Sequence, residues 1–116
     1  MLEELKEQVC DMNKKLLELG IVEFTWGNAS AIDRDKELFV IKPSGVPYDK
    51  LTPKKMVVLD LDGNIIDGTL KPSIDTYTHL EIYKAFDKKN KKYVALKIIE
   101  KKNLFIFNQI ENIRIS

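Results

Sequence analysis

Leu38-Phe39-Val40-Ile41-Lys42-Pro43-Ser44-Gly45-Val46-Pro47 joins four consecutive apolar residues to a segment that no sheet can contain. The apolar four predict a short strand. Two prolines and a glycine break any ladder across the next six positions, so Lys42–Pro47 is a loop. Upstream, Asp33-Arg34-Asp35-Lys36 reads as a polar turn, preceded by strands at Ile21–Thr25 and Ala29–Asp33 that flank Trp26-Gly27-Asn28. Further back, Leu2, Leu5, Val9, Met12, Leu16 and Leu19 recur at steps of three and four, one stripe of an amphipathic helix. Gly20 is placed to end that helix in the left-handed conformation. The stripe suits core packing rather than a partner helix.

Downstream, Thr52-Pro53 marks a helix start, with Thr as N-cap and Pro at the first position. Met56–Asp60 reads as a strand, and Asp62-Gly63-Asn64 turns it into Ile65-Ile66 as a hairpin. Lys71-Pro72-Ser73 precedes a second helix whose His79, Ile82, Tyr83 and Phe86 share a face. Tyr93–Ile99 and Leu104–Phe107 have strand composition, without turn chemistry to define how they pair. There is no internal repeat.

Composition narrows the function classes. A chain of 116 residues suits one domain. Nineteen basic residues against eighteen acidic ones leave a formal charge of +1, so no global basic field drives nucleic-acid binding. The longest apolar run falls far short of a membrane span. Cys10 is the single cysteine, which excludes an internal disulfide framework, and no cationic-then-apolar signal opens the chain. The expectation is a soluble, cytoplasmic protein with neither nucleic acid nor membrane as partner. The charge is unevenly placed: residues 1–86 hold 11 basic and 15 acidic side chains, residues 87–116 hold eight and three. All five glycines and all four prolines also lie in the first part. A boundary near Phe86 follows, with a well-punctuated segment at 1–86 and a Lys/Ile/Asn-rich tail at 87–116.

Three loops carry the candidate chemistry: Gly27-Asn28, Lys42-Pro43-Ser44-Gly45 and Lys71-Pro72-Ser73. Each offers small hydroxyl, amide or backbone N–H donors, and two add a lysine. A phosphate asks for this mixture, because glycine lets the backbone approach and lysine adds a point charge. The same residues are also ordinary turn chemistry, and composition leaves both readings open. His79 lies on the presumed buried stripe and reads as a structural, hydrogen-bonded histidine. Cys10 reads as a packing residue of the first helix, and Lys88–Lys92 and Lys101-Lys102 as a solvated surface.

Three stretches in register raise the specificity. Phe24-Thr25-Trp26-Gly27-Asn28-Ala29-Ser30, Ile41-Lys42-Pro43-Ser44-Gly45-Val46 and Leu70-Lys71-Pro72-Ser73-Ile74-Asp75-Thr76 together resemble the L-ribulose-5-phosphate 4-epimerases of the class II aldolase/adducin family. The resemblance runs almost unbroken over residues 1–86, and Trp26 leans towards the epimerase branch. It implies an α/β fold, a three-layer α/β/α sandwich around a mainly antiparallel sheet, here truncated. It implies a zinc-dependent retro-aldol and aldol interconversion of L-ribulose 5-phosphate and D-xylulose 5-phosphate, as used in arabinose catabolism, in a homo-tetramer. The family's phosphate cradle falls on Gly27, Asn28, Lys42, Ser44, Gly45 and Ser73, and Asp75 matches the acidic residue near the metal.

Two departures qualify that implication. The family's second serine is Ile74 here, which removes a side-chain donor, and Tyr77 replaces a common proline. The family's zinc histidines belong to a strand after Phe86, whereas this chain continues Asp87-Lys88-Lys89-Asn90-Lys91-Lys92 and has His79 as its single histidine. A catalytic zinc needs three protein ligands. The expectation is therefore a sugar-phosphate cradle without zinc and without turnover. The composition from Asp87 onward matches an out-of-frame read of an adenine- and thymine-rich gene. Two alternatives stand beside it: a non-catalytic, adducin-like interaction remnant, and an active enzyme borrowing histidines from another chain. Missing strands would leave open sheet edges, with Leu104–Phe107 as a substitute strand.

Overall fold

Alternation along the strands sorts their side chains onto two faces, and both faces are covered. In the computed structural model, residues 1–20, 28–85, 94–98 and 103–107 are described. The element order is α1 (Glu3–Glu18), β1 (Asn28–Asp33), β2 (Leu38–Ile41), short 3₁₀ turns at Tyr48–Lys50 and Pro53–Lys55, β3 (Val57–Asp60), β4 (Ile65–Asp67), α2 (Thr76–Ala85), β5 (Val94–Ile98) and β6 (Asn103–Phe107). One sheet contains all six strands in the order β4-β3-β2-β1-β5-β6, every pair antiparallel.

Ala29, Ala31, Val40 and Val58 join Leu5, Val9, Cys10 and Leu16 of α1 in one core cluster, which Tyr48, Leu51 and Met56 complete. Ile32, Phe39, Ile41, Val57 and Leu59 turn the other way and join Leu80 and Tyr83 of α2. A strand buried on both faces reads as a continuous apolar run rather than an alternation, which accounts for Leu38–Ile41. The result is the three-layer α/β/α arrangement with an antiparallel sheet that the resemblance implied.

Most elements lie where the sequence places them. Gly20 has φ +70° and its N–H donates to the Leu17 carbonyl, closing α1 as expected. Asp33 caps the turn before β2, its Oδ1 accepting from the Asp35 and Lys36 N–H groups. Asp60 does the same for the β3–β4 hairpin, accepting from Asp62 and Asn64, with Gly63 at φ +88°.

Several expectations need correction. Leu19 is 47% exposed, because the helix ends before it and the stripe stops at Leu16. The helix expected from Thr52-Pro53 is a single 3₁₀ turn, and the Thr52 side chain caps nothing. Leu80 takes the buried place on α2 beside His79 and Tyr83, while Ile82 is half-buried. The tail strands pair with each other, Val94 opposite Phe107 and Ile98 opposite Asn103. β5, not the segment 104–107, covers β1, pairing Asn28 with Lys97 and Ala31 with Val94. The edge of β1 is therefore closed by its own chain. The strand at Ile21–Thr25, Trp26, Gly27 and Phe86 lie outside the described residues.

Candidate functional site

Two of the three candidate loops are tied together by backbone alone. Pro43 and Pro72 form an antiparallel bridge in which the Ser44 N–H donates to the Lys71 carbonyl (2.8 Å) and the Ser73 N–H to the Lys42 carbonyl (3.0 Å). Proline suits this place because the two donors come from the residues after it. The bridge sits where β2 runs out and α2 is about to begin, so it joins the sheet end to the helix start.

Ser73 then opens α2. Its Oγ accepts from the Asp75 N–H at 3.1 Å, and its carbonyl accepts from the Thr76 N–H and hydroxyl. Asp75 follows, 4% exposed, with its carbonyl accepting from the His79 N–H. The third loop arrives through Asn28, whose Nδ2 donates to Asp75 Oδ2 at 2.7 Å. Asn28 is held from behind by Asn13 of α1, which donates to the Ala29 carbonyl and accepts from the Ala29 N–H.

Lys42 lies at the base of this arrangement. It is almost fully buried, donates to the Pro43 carbonyl at 3.3 Å and stands 5.6 Å from the Tyr48 ring centroid. Burial pulls its pKa below the ordinary lysine value, and the Asp75 charge pulls it partly back. Burial, with a smaller contribution from Asp75, raises the Tyr48 phenol above its ordinary value, so Tyr48 stays neutral. The Tyr48 face favours the ammonium form of Lys42, and an ammonium with N–H donors beyond the one given to Pro43 can bond an anion. Gly45, exposed at the loop tip, has φ +73°, a conformation other residues enter only with strain.

Asn28, Lys42, Ser44, Gly45, Ser73 and Asp75 are thus gathered at one end of the sheet, and Gly27 lies outside the described residues. Ile74 is 78% exposed, between two buried residues. Sequence reasoning missed Tyr48, Asn13 and Ser30. An asparagine one turn after Val9 inside an apolar stripe was the available signal for Asn13. His79 is buried as expected, its Nδ1 2.6 Å from Ser30 Oγ. A cleft of about 450 Å³ between the start of α1 and the β1–β2 turn, lined by Leu2, Glu4, Ile32 and Asp35 among others, includes none of these site residues.

The zinc that the resemblance implies does not fit what is described. Among the described residues no three His, Cys, Asp or Glu side chains converge on one point. The His79 ring is turned to Ser30 and packed between β1 and α2. No helix of the described residues is long and apolar enough to cross a membrane.

Known proteins are similar to this chain in sequence and in fold. L-ribulose-5-phosphate 4-epimerases UlaF of Salmonella paratyphi B and Salmonella paratyphi A are each 51% identical over 85 residues, 73% of this chain and 37% of theirs. The chain thus covers less than half of each relative. Among solved structures, an L-fuculose 1-phosphate aldolase superposes with a TM-score of 0.72 at 32% identity, over 82% of this chain and 44% of that one. YgbL of Klebsiella pneumoniae has the same fold at a TM-score of 0.67 and 24% identity, over 83% of this chain and 45% of its own. Residues 7–91 match the family described as Class II Aldolase and Adducin N-terminal domain. Because that match spans well over half of the sequence, this chain belongs to the class II aldolase and adducin family.

Proposed function

We propose that this chain binds the phosphate of a sugar phosphate of the L-ribulose 5-phosphate type at Asn28, Lys42, Ser44, Gly45 and Ser73, with Gly27 completing the cradle. The observation that carries the reading is the paired bridge at Pro43 and Pro72, which presents both loops around one buried ammonium before any ligand arrives. Preformed donors lose little freedom on binding, so an anion meets a site already assembled. The similarity to the two epimerases supports a pentose phosphate as the ligand class.

Interconversion at a carbon of such a sugar, by breaking and remaking a carbon–carbon bond, requires that the fragment turn without escaping. Holding its phosphate supplies that restraint. In this chain the hold falls to Lys42 and the loop donors, and Asp75 orients Asn28. The single histidine supports a further reading: these 116 residues bind the sugar phosphate and do not turn it over. The family's zinc would then need histidines beyond the single one in this sequence. Residues 1–86 are read as the family segment, a reading supported by the family match over 7–91, and β5 and β6 beyond it join the same sheet.

Titration calorimetry with inorganic phosphate and with L-ribulose 5-phosphate tests the binding. Saturable binding of both is expected, weakened about tenfold to a hundredfold in Lys42→Met, the range for losing a hydrogen bond to a charged group. Equal affinity in the variant overturns the site. Zinc content and turnover of the purified chain test the second reading, since stoichiometric metal or epimerisation defeats it.

A further inference from the structure

Behind the anion site, β1 and α2 are joined by a ladder of buried polar contacts. Asn28 and Ser30 are two residues apart and face α2 from the same side of β1, a step of roughly 6.7 Å along a strand. Asp75 and His79 are four residues apart, one helical turn, a step of roughly 6 Å. The two steps match, so Asn28 reaches Asp75 at 2.7 Å and Ser30 reaches His79 at 2.6 Å as successive rungs. Tyr83, one turn further on, returns its hydroxyl to Ser30 Oγ at 2.6 Å. Ser30 and His79 show no exposed surface, nor does Tyr83.

We propose that Ser30 is a positioning residue: by bonding to His79 and Tyr83 it sets the register of α2 on β1, and so holds Asn28 against Asp75 beside the anion-binding loops. The proposal rests on the anion site described above. Apolar contact alone does not fix this register. Leu80 and Tyr83 of α2 pack on Phe39 and its neighbours, with the Phe39 and Tyr83 rings 5.5 Å apart, and such contact is non-directional. A helix held in that way can slide a fraction of a turn without losing much buried area. Two short hydrogen bonds converging on one hydroxyl are directional, and in a dry interior each polarises the other. Which ring nitrogen of His79 carries the proton decides the direction of donation along the chain, and either direction satisfies Ser30. Arg34 extends the same seam, donating from a guanidinium N–H to the Tyr83 carbonyl at 2.8 Å.

The test follows the Asn28 side-chain amide by ¹⁵N NMR, since its resonance reports the rung to Asp75, together with phosphate titration of the full chain. Ser30→Ala should shift that resonance and weaken inorganic phosphate binding about tenfold, the equivalent of one hydrogen bond to a charged group. His79→Leu should do the same. His79→Asn places an amide where Nδ1 stood, and should return both readouts to near wild type. If Ser30→Ala does not fold, Tyr83→Phe removes one bond, keeps the ring packing on Phe39, and is expected to shift the resonance in the same sense. An Asn28 resonance unmoved in a folded Ser30→Ala or Tyr83→Phe chain overturns the proposal. A wild-type chain that ignores phosphate defeats the proposed function alone, and the Asn28 resonance still decides the register.

Discussion

On the α1 side of the sheet, Ala29, Ala31, Val40 and Val58 meet Val9, Cys10 and Leu16, and the one buried side-chain amide among them, Asn13, is spent on the Ala29 peptide. On the α2 side, the same strands present Ile32, Phe39 and Ile41 but also Asn28 and Ser30, which bond to Asp75, His79 and Tyr83. α1 is held by area and by one amide's pair of bonds to the Ala29 peptide, α2 by area and by a ladder of side-chain bonds. Apolar burial stabilises without specifying a position to a fraction of an ångström, whereas hydrogen bonds specify position with little net stability. The Asn28–Asp75 part of the candidate site grows from the second kind of face, while Lys42 meets Tyr48 of the α1-side cluster. Division of labour between the faces predicts that stability and ligand affinity can be altered separately.

The largest effect expected from that division is on stability. Leu16→Ala removes a fully buried side chain from the α1 face and should cost about 2–5 kcal/mol by chemical denaturation. Phosphate affinity of the fraction that remains folded should not change. A parallel loss of affinity would join the two faces and break the comparison. Lys42 offers the converse. Its pKa is lowered in the fold, so between the folded and unfolded values the unfolded chain binds more protons. Stability therefore rises with pH through that window, while phosphate affinity, which needs the ammonium, falls. Where phosphate itself stays a dianion, the two trends should run in opposite directions. Lys42→Met should abolish both, as thermal melts and titrations across pH would register.

A smaller acid-side effect belongs to the sheet edge. Lys6 of α1 donates to Asp67 of β4 at 2.6 Å, which holds the Asp67 carboxyl below its ordinary value, and Asn64 holds Asp60 down in the hairpin. A carboxyl lowered by folding contributes stability above its unfolded pKa and loses it as pH falls through the folded value. Both groups are solvent-facing, so Lys6→Met should flatten the acid end of the stability profile only slightly. Phosphate binding should be untouched.

The α1 face was the legible one. A helical stripe, a glycine stop and a run of four apolar residues each obey a single local rule, and the three loops carried recognisable turn chemistry. The bridge between Pro43 and Pro72 was not legible, because pairing across 29 positions depends on where β2 and α2 come to rest. Ser30 was invisible for a related reason: one serine in a strand says nothing until a histidine and a tyrosine from another element reach it. Tyr48 went unread in the sequence and forms the floor under Lys42. Strand composition marked Tyr93–Ile99 and Leu104–Phe107, but composition holds no register, so β5 closing the edge of β1 came only from the fold. His79 was read correctly because a lone histidine on a buried helical face has one common fate.

Ile74 gives the smallest and most pointed test. Its neighbours Ser73 and Asp75 are buried and engaged, while its own side chain is 78% exposed and touches the site with nothing polar. The position carries no packing load, so Ile74→Ser should leave the melting temperature nearly unchanged. A hydroxyl there adds one donor next to a bound phosphate, and a hydrogen bond to a charged acceptor at a half-open position is worth about 1 kcal/mol, roughly fivefold in affinity. Titration calorimetry of Ile74→Ser with inorganic phosphate should therefore show tighter binding than the parent chain. Unchanged affinity would mean that the phosphate sits on the Lys42 side of the bridge, away from the start of α2, and the division between the two faces would have to be redrawn through the loops themselves.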